Sequence, residues 1–268
     1  MRKLICVVNQ KGGVGKTYCC THLARALFLR GKRVLLVDLD PQYNSSKWAF
    51  ANQFPPEAHI DLTPAAFTEH LFTETGITPT PLMSNLGFDV LLASKRIQLV
   101  QKYDDDALYN FKENIELVAD SYDYIFFDSP PTIGNLMKAQ LITCNYVIIP
   151  TQLEKDSFEQ MKELYQTIET VKARQNPTIE VLGVLMNGEG VIRDKNGAAR
   201  NLTAIYFEDE INSWAASLGK NLVFSERWHV TSVGKKARTL DTTVIDYEPA
   251  SLSAMQVMST VDEIEARL

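Results

Sequence analysis

Lys11-Gly12-Gly13-Val14-Gly15-Lys16-Thr17 decides how this chain folds, because of what stands on either side of it. Upstream, Leu4-Ile5-Cys6-Val7-Val8 is an unbroken apolar run, the mark of a strand buried on both faces. Downstream, Tyr18 to Leu29 places Leu23, Ala26 and Leu27, with Ala24 beside them, along one side of a helix. Strand, glycine loop and helix in that order is the setting in which such a loop wraps phosphate. The glycines let successive backbone N–H groups turn inward around phosphate oxygens, and the helix N-terminus adds partial positive charge. In a loop of this kind Lys16 reaches the β- and γ-phosphates, and the Thr17 hydroxyl is a ligand for Mg²⁺. A second lysine, Lys11, opens the loop and is its less ordinary feature.

Outward from the loop the chain alternates. Further apolar strands are expected at Val34–Asp38, Phe88–Leu92, Tyr124–Asp128, Tyr146–Pro150 and Val181–Asn187, with a short one near Leu222 to Phe224. Helices are expected over Leu108–Val118, Ser157–Arg174, about Ala204–Ser217 and Ser251–Leu268. Near-continuous apolar strands separated by helices predict an α/β fold, a doubly wound and mostly parallel sheet with helices on both faces. The stretch Asn44 to Pro81 is less periodic and richer in Pro, Thr and Phe, and reads as a loop-and-helix insertion. With no repeat or linker, residues 1–268 are expected to form one domain.

Composition narrows the classes. The chain carries a net charge of −6, which argues against a protein basic all over but leaves room for a local basic face. No apolar run approaches the roughly 20 residues needed to span a bilayer. The first strand begins at the N-terminus and leaves no space for a signal peptide, so a cytoplasmic location is expected. Cys6, Cys19, Cys20 and Cys144 lack metal-site spacing and read as small buried apolar residues.

In doubly wound sheets ligands bind beyond the carboxyl ends of the strands. The phosphate loop follows the first strand, Asp38-Leu39-Asp40-Pro41-Gln42 the second, and Asp128-Ser129-Pro130-Pro131 the fourth, so all three meet at one mouth. Carboxylates there suit Mg²⁺, which keeps several waters and takes few protein ligands.

At these residues the chain resembles the ParA/MinD family of deviant Walker-A P-loop ATPases, closest to the ParA-type partition members. The likeness is carried by Lys11 to Thr17, Val34 to Gln42 and Tyr122 to Pro131, and continues more weakly through Ile149-Pro150 and Asn187 to the end. It implies a P-loop NTPase fold, ATP and Mg²⁺ as cofactors, and an ATP-dependent homodimer that hydrolyses ATP. It further implies that Lys11, Gly12, Gly13, Val14, Gly15, Lys16, Thr17 and Tyr18 hold the nucleotide. Lys11 then reaches the partner subunit's nucleotide, as an arginine finger does. Asp40 takes the part of the catalytic aspartate that orients water, alongside Lys16. Asp128 resembles the Walker-B carboxylate, so that Thr17, Asp40 and Asp128 surround the metal. Asp38 is either a further support there or structural, and Asn187 either contacts adenine or forms a turn before Gly188.

The resemblance divides into branches. Membrane-bound members end in a basic amphipathic helix, whereas here Asp262, Glu263 and Glu265 face a single Arg267, so no membrane anchor is expected. Eight cations lie between Arg193 and Arg238: Arg193, Lys195, Arg200, Lys220, Arg227, Lys235, Lys236 and Arg238. Arg227, Lys235, Lys236 and Arg238 fall where the family contacts DNA, which implies sequence-independent binding to duplex DNA and association with the nucleoid. A solvated charged loop is the plainer alternative, since Glu208, Asp209, Glu210 and Glu226 intervene. The likeness also implies a stimulating adaptor protein, ParB-like or specific to a cargo. Two departures from the family pattern are expected, no N-terminal extension before the first strand and no short basic N-terminal tail, so the adaptor is expected to dock elsewhere. The Pro-rich stretch Asn52 to Pro81 is a place for specificity. A dethiobiotin-synthetase-type ligase and a membrane-positioning switch are the competing functions.

Overall fold

The computed structural model describes residues 2–51, 62–188 and 201–268. Strand β1 (Lys3–Val7) runs into the glycine loop and helix α1 (Lys16–Leu29), and β2 (Val34–Asp38) follows. Short helix α2 (Asn44–Phe50) and 3-10 turns at Pro64–Ala66 and Thr68–Phe72 make up the described part of the insertion. Residues 52–61 of the Pro-rich stretch, and Arg193, Lys195 and Arg200 of the basic segment, lie outside the described residues. Next come β3 (Leu82–Met83), β4 (Asp89–Leu91), α3 (Asp105–Ala119), β5 (Tyr124–Asp128), α4 (Asn135–Thr143) and β6 (Tyr146–Thr151). The chain closes with α5 (Lys155–Arg174), β7 (Glu180–Gly188), α6 (Leu202–Ser217), β8 (Trp228–His229), α7 (Ser232–Thr239), α8 (Val244–Tyr247) and α9 (Leu252–Arg267).

The strands form one sheet in the order β3-β4-β2-β5-β1-β6-β7-β8. Every pairing is parallel except β3 with β4. This is the doubly wound, mostly parallel sheet that the strand pattern predicts, and the P-loop NTPase fold that the family resemblance implies. Alternation within each strand builds two cores. Leu4, Cys6, Leu35, Val37, Ile125 and Phe127 face α3, α4 and α5. Ile5, Val7, Leu36 and Phe126 face α1, α2 and α9. Burying a side chain of this size contributes about 1.5–3 kcal/mol, so both faces of the central strands hold the helices in place.

Two local expectations change. The short strand near Leu222–Phe224 is reduced to an isolated bridge between Val223 and Val184. The chain turns away after Phe224 because the Ser225 amide and hydroxyl both donate to Glu263 of α9, at 2.9 Å. The strand that completes this edge is β8, paired with Asn187 and Gly188. The strand expected over Phe88–Leu92 shortens to β4 and is preceded by the antiparallel β3, set by Ser84, whose amide and hydroxyl both donate to the Phe88 carbonyl.

Pairing sets the site. Val7 and Asp38 both lie opposite Asp128, so β1, β2 and β5 end at one level and their following loops share one mouth.

Candidate active site

The loop between β1 and α1 is held from below and from the side. Asn9 donates to the Pro150 carbonyl at 2.8 Å and accepts from the Lys11 amide at 2.9 Å, tying the loop's first residues to β6. Gly13 and Gly15 have φ of +80° and +91°, backbone that side chains other than glycine adopt at a cost. At Gly15 a side chain would also displace Asn187, since an added Cβ would stand 2.0 Å from Asn187 Nδ2. That amide donates to the Val14 carbonyl at 2.7 Å, so the end of β7 clamps the loop.

Lys16 is buried at the start of α1 and donates to the Lys11 carbonyl at 2.9 Å. Burial pulls its ammonium below the ordinary lysine value, and Asp128 and Asp40 pull it back. Thr17 donates to Asp128 Oδ2 at 2.8 Å, and Ser45 of α2 donates to the same oxygen at 2.6 Å. The other oxygen, Asp128 Oδ1, is buried with no hydrogen-bond partner among the described residues. Burial raises the Asp128 carboxyl above the usual carboxylate range, and these two hydroxyls work against that rise. Asp40 accepts the Gln42 amide at 2.8 Å and lines, with Lys16 and Thr17, a cleft of about 470 Å³.

Asp38 has a different environment. It is fully buried, with Oδ1 accepting the Asp40 amide at 3.0 Å and Oδ2 accepting the Ser46 amide and hydroxyl at 2.8 and 2.7 Å. Both oxygens are therefore engaged in bracketing the loop after β2. Lys11 Nζ pairs with Glu154, just before α5, rather than pointing along its own loop. Among the described residues no three His, Cys, Asp or Glu side chains gather as a metal site by themselves. A divalent cation here must take much of its shell from phosphate and water, as Mg²⁺ does. The unpartnered Asp128 Oδ1 and the hard-oxygen donors Thr17 and Asp40 suit it.

A second cleft of about 430 Å³ adjoins the first and shares Gly13, Gly15, Tyr18 and Arg238 with it. Asn187, His229 and Lys235 are among the residues that line it. Tyr18 stacks on His22, with ring centroids 3.9 Å apart. His22 is buried and neutral in character: Nδ1 lies 2.8 Å from the Tyr18 carbonyl, and Nε2 accepts the Val244 amide at 3.0 Å. Burial depresses its pKa to about 4.

The basic residues separate in space. Lys235 and Lys236 are exposed on α7, and among the described residues neither forms an ion pair. Arg227 pairs with Glu208 of α6. Arg238 turns inward, its guanidinium carbon 4.3 Å from the Trp48 ring centroid. Sequence reasoning passed over Ser45, Trp48 and Glu154, which meet the site from residues distant in sequence and bear no local signal. All four cysteines are free and buried, as their apolar reading predicts.

A protein-family profile described as an AAA domain matches residues 2–181. The sporulation initiation inhibitor protein Soj of Bacillus subtilis is 29% identical, over 99% of each chain. The chromosome-partitioning ATPase Soj of Treponema pallidum is 35% identical, over 69% of this chain and 70% of its own. In fold, cobyrinic acid a,c-diamide synthase from Mycobacterium smegmatis, solved with an ATP analog and magnesium, superposes with a TM-score of 0.74 at 21% identity. That match covers 98% of this chain and 93% of the synthase.

Proposed function

This chain belongs to the ParA/MinD family of deviant Walker-A P-loop ATPases, and we propose that it is a Mg²⁺-dependent partition or positioning ATPase that dimerises with ATP and binds duplex DNA. The observation that carries this reading is the meeting of Lys16, Thr17 and Asp40 in one cleft with Asp128 beneath Thr17. A chromosome-partitioning ATPase among the sequence relatives supports it over a ligase, and the solved synthase shares the fold at lower identity.

In this reading the loop amides and Lys16 hold the β- and γ-phosphates, and the Lys11 carbonyl keeps Lys16 Nζ poised until phosphate arrives. Thr17, with Asp128 and Asp40 acting through water, would hold Mg²⁺, which would supply positive charge against the charge developing on the phosphates. Asp40 orients the attacking water. The new bond forms from that water to the γ-phosphorus, the bond to the bridging oxygen breaks, and its electron pair leaves with ADP. Asp38 keeps Asp40 in place by accepting its amide.

Lys11 serves the partner subunit's nucleotide. Its pair with Glu154 leaves the two side chains 22% and 47% exposed, and pairs of that kind are worth about 0–1 kcal/mol. A triphosphate across the interface readily outcompetes it. Lys235 and Lys236, together with Arg227, supply the DNA-contacting cations, and dimerisation doubles them so that both copies engage one duplex. Hydrolysis, stimulated by an adaptor protein, then releases the dimer from DNA. The protein accordingly works in the cytoplasm, on the nucleoid.

The test is an anisotropy titration of duplex DNA with ATP, ADP or no nucleotide, at two salt concentrations. Binding is expected with ATP, falling steeply with salt, and lost on joint Lys235→Glu and Lys236→Glu substitution. Equal binding in all three nucleotide states refutes the switch.

A further inference from the structure

Helix α7 presents its cations in two directions. Lys236 faces solvent, the exposed Lys235 also borders the base-side part of the cleft, and Arg238 lies against the cleft and lines both its phosphate-side and base-side parts. The two parts share Gly13, Gly15 and Tyr18, which places Arg238 at their junction, beside the glycine loop. The surface it rests on is fixed. Trp48 is 1% exposed, its Nε1 donates to the Thr242 carbonyl at 3.1 Å, and its ring meets His22 edge-on at 5.3 Å.

The guanidinium itself is under-used. Among the described residues its one carboxylate is Asp241, three residues on, at 3.3 Å from Nη1. Arg has five N–H donors in a rigid fork suited to phosphate, and stacking on an indole leaves that fork free at its edge. Burial lowers the Arg238 pKa, with Asp241 opposing the fall, so an added anion improves its surroundings. The helix is also firmly seated. Thr231 caps it by accepting the Gly234 amide at 3.0 Å and meets Ser253 of α9 at 2.8 Å, while Gly234 lies so near Tyr18 that a Cβ would stand 3.0 Å from the phenol oxygen.

We propose that Arg238 is a nucleotide-binding residue, its guanidinium contacting the α-phosphate of the nucleotide held in its own chain, and is not a DNA contact. This rests on the ATP-binding reading above. The junction between the phosphate and base parts of the cleft is where an α-phosphate stands. One short helix then carries the nucleotide contact at Arg238, the exposed Lys235 at the rim of the same cleft and Lys236 facing solvent, so nucleotide occupancy bears directly on how those cations are presented.

The experiment displaces a fluorescent ADP analogue with ADP, ATP and adenosine from wild-type, Arg238→Gln and Lys16→Ala proteins. Arg238→Gln is expected to weaken ADP and ATP alike by about tenfold or more, the worth of one charge-assisted hydrogen bond. Adenosine, which lacks the phosphate, is expected to compete within twofold of wild type. A general distortion of the cleft weakens adenosine equally, and that result overturns the assignment. Unchanged ADP affinity also overturns it, and where Lys16→Ala abolishes binding in the same assay the ATP-binding reading survives. Undiminished binding by Lys16→Ala overturns both. Loss of DNA binding by Arg238→Gln at saturating ATP, with ADP affinity intact, makes Arg238 a DNA contact instead. If Arg238→Gln does not fold, Arg238→Lys serves in its place: it keeps the charge without the fork, a several-fold loss of ADP affinity is expected, and no loss overturns the proposal.

Discussion

Substituting Gly15 by alanine tests the loop's construction, because two separate costs meet at that residue. The backbone there is left-handed, with φ +91°, and an L-residue in that conformation costs about 1–2 kcal/mol. The new methyl group also meets Asn187, whose Nδ2 stands 2.0 Å and whose Cγ stands 3.2 Å from the built Cβ position. Moving that amide aside breaks its 2.7 Å bond to the Val14 carbonyl, a loss of about 1 kcal/mol. Together the two effects destabilise the nucleotide-free protein by about 2–3 kcal/mol, or roughly 4–8 °C in melting temperature for a chain of this size. Calorimetric melting without nucleotide reads this directly, and a fluorescent-nucleotide titration reads what the distorted loop does to phosphate binding, where a loss of about tenfold or more is expected. Gly12→Ala is the control, since Gly12 has no positive φ and no heavy atom within 4 Å of its built Cβ. If Gly15→Ala melts with Gly12→Ala and binds nucleotide like wild type, then neither the strain nor the Asn187 clamp shapes the loop.

Asp40→Ala is expected to bind ATP and form a dimer that persists in size-exclusion chromatography while turnover falls by about a hundredfold or more, and normal turnover moves the water-orienting role to another acid. Lys11→Gln is expected to leave monomer nucleotide binding intact and to impair dimerisation or turnover. Mixing it with Asp40→Ala should restore some activity through one composite site, and wild-type turnover by Lys11→Gln alone refutes its role across the interface. His22 gives a pH signature: its pKa is about 4 when folded and about 6.5 when unfolded, so the unfolded chain binds the extra proton between those values and stability declines as pH falls from 7 to 4. The decline amounts to about 3 kcal/mol, and urea unfolding of wild type against His22→Gln should show it as a difference in slope across that window; parallel profiles refute the buried neutral histidine.

Much of the fold was legible because parallel strands buried on both faces leave long apolar runs, as in Val34–Asp38 and Tyr124–Asp128. The glycine loop was legible because its chemistry is local. What escaped depended on partners far away in sequence. Helix α4 lacks a polar face, with Leu136, Met137, Ala139, Gln140, Leu141 and Ile142 all buried, so it offered no amphipathic period. β3 and β8 are two residues each, too short for alternation to register. The direction of Arg238 depends on Trp48, 190 residues earlier, and nothing in Lys235-Lys236-Ala237-Arg238 distinguishes the inward cation from the outward ones. Likewise Asp38 and Asp40 share one motif, and only the placement of Ser46 separates the bracket from the residue lining the cleft.

The two outermost strands of the sheet, β3 and β8, have a bearing on solubility. An open edge offers unpaired N–H and C=O groups as a template on which another chain can add a strand, and long flat edges invite fibrous assembly. Here each border is a two-residue strand, and at one of them the direction reverses as well. An incoming strand finds little to extend. Strand-by-strand growth from either border of the sheet is thereby disfavoured, and copies at high concentration are kept from zipping into a continuous sheet.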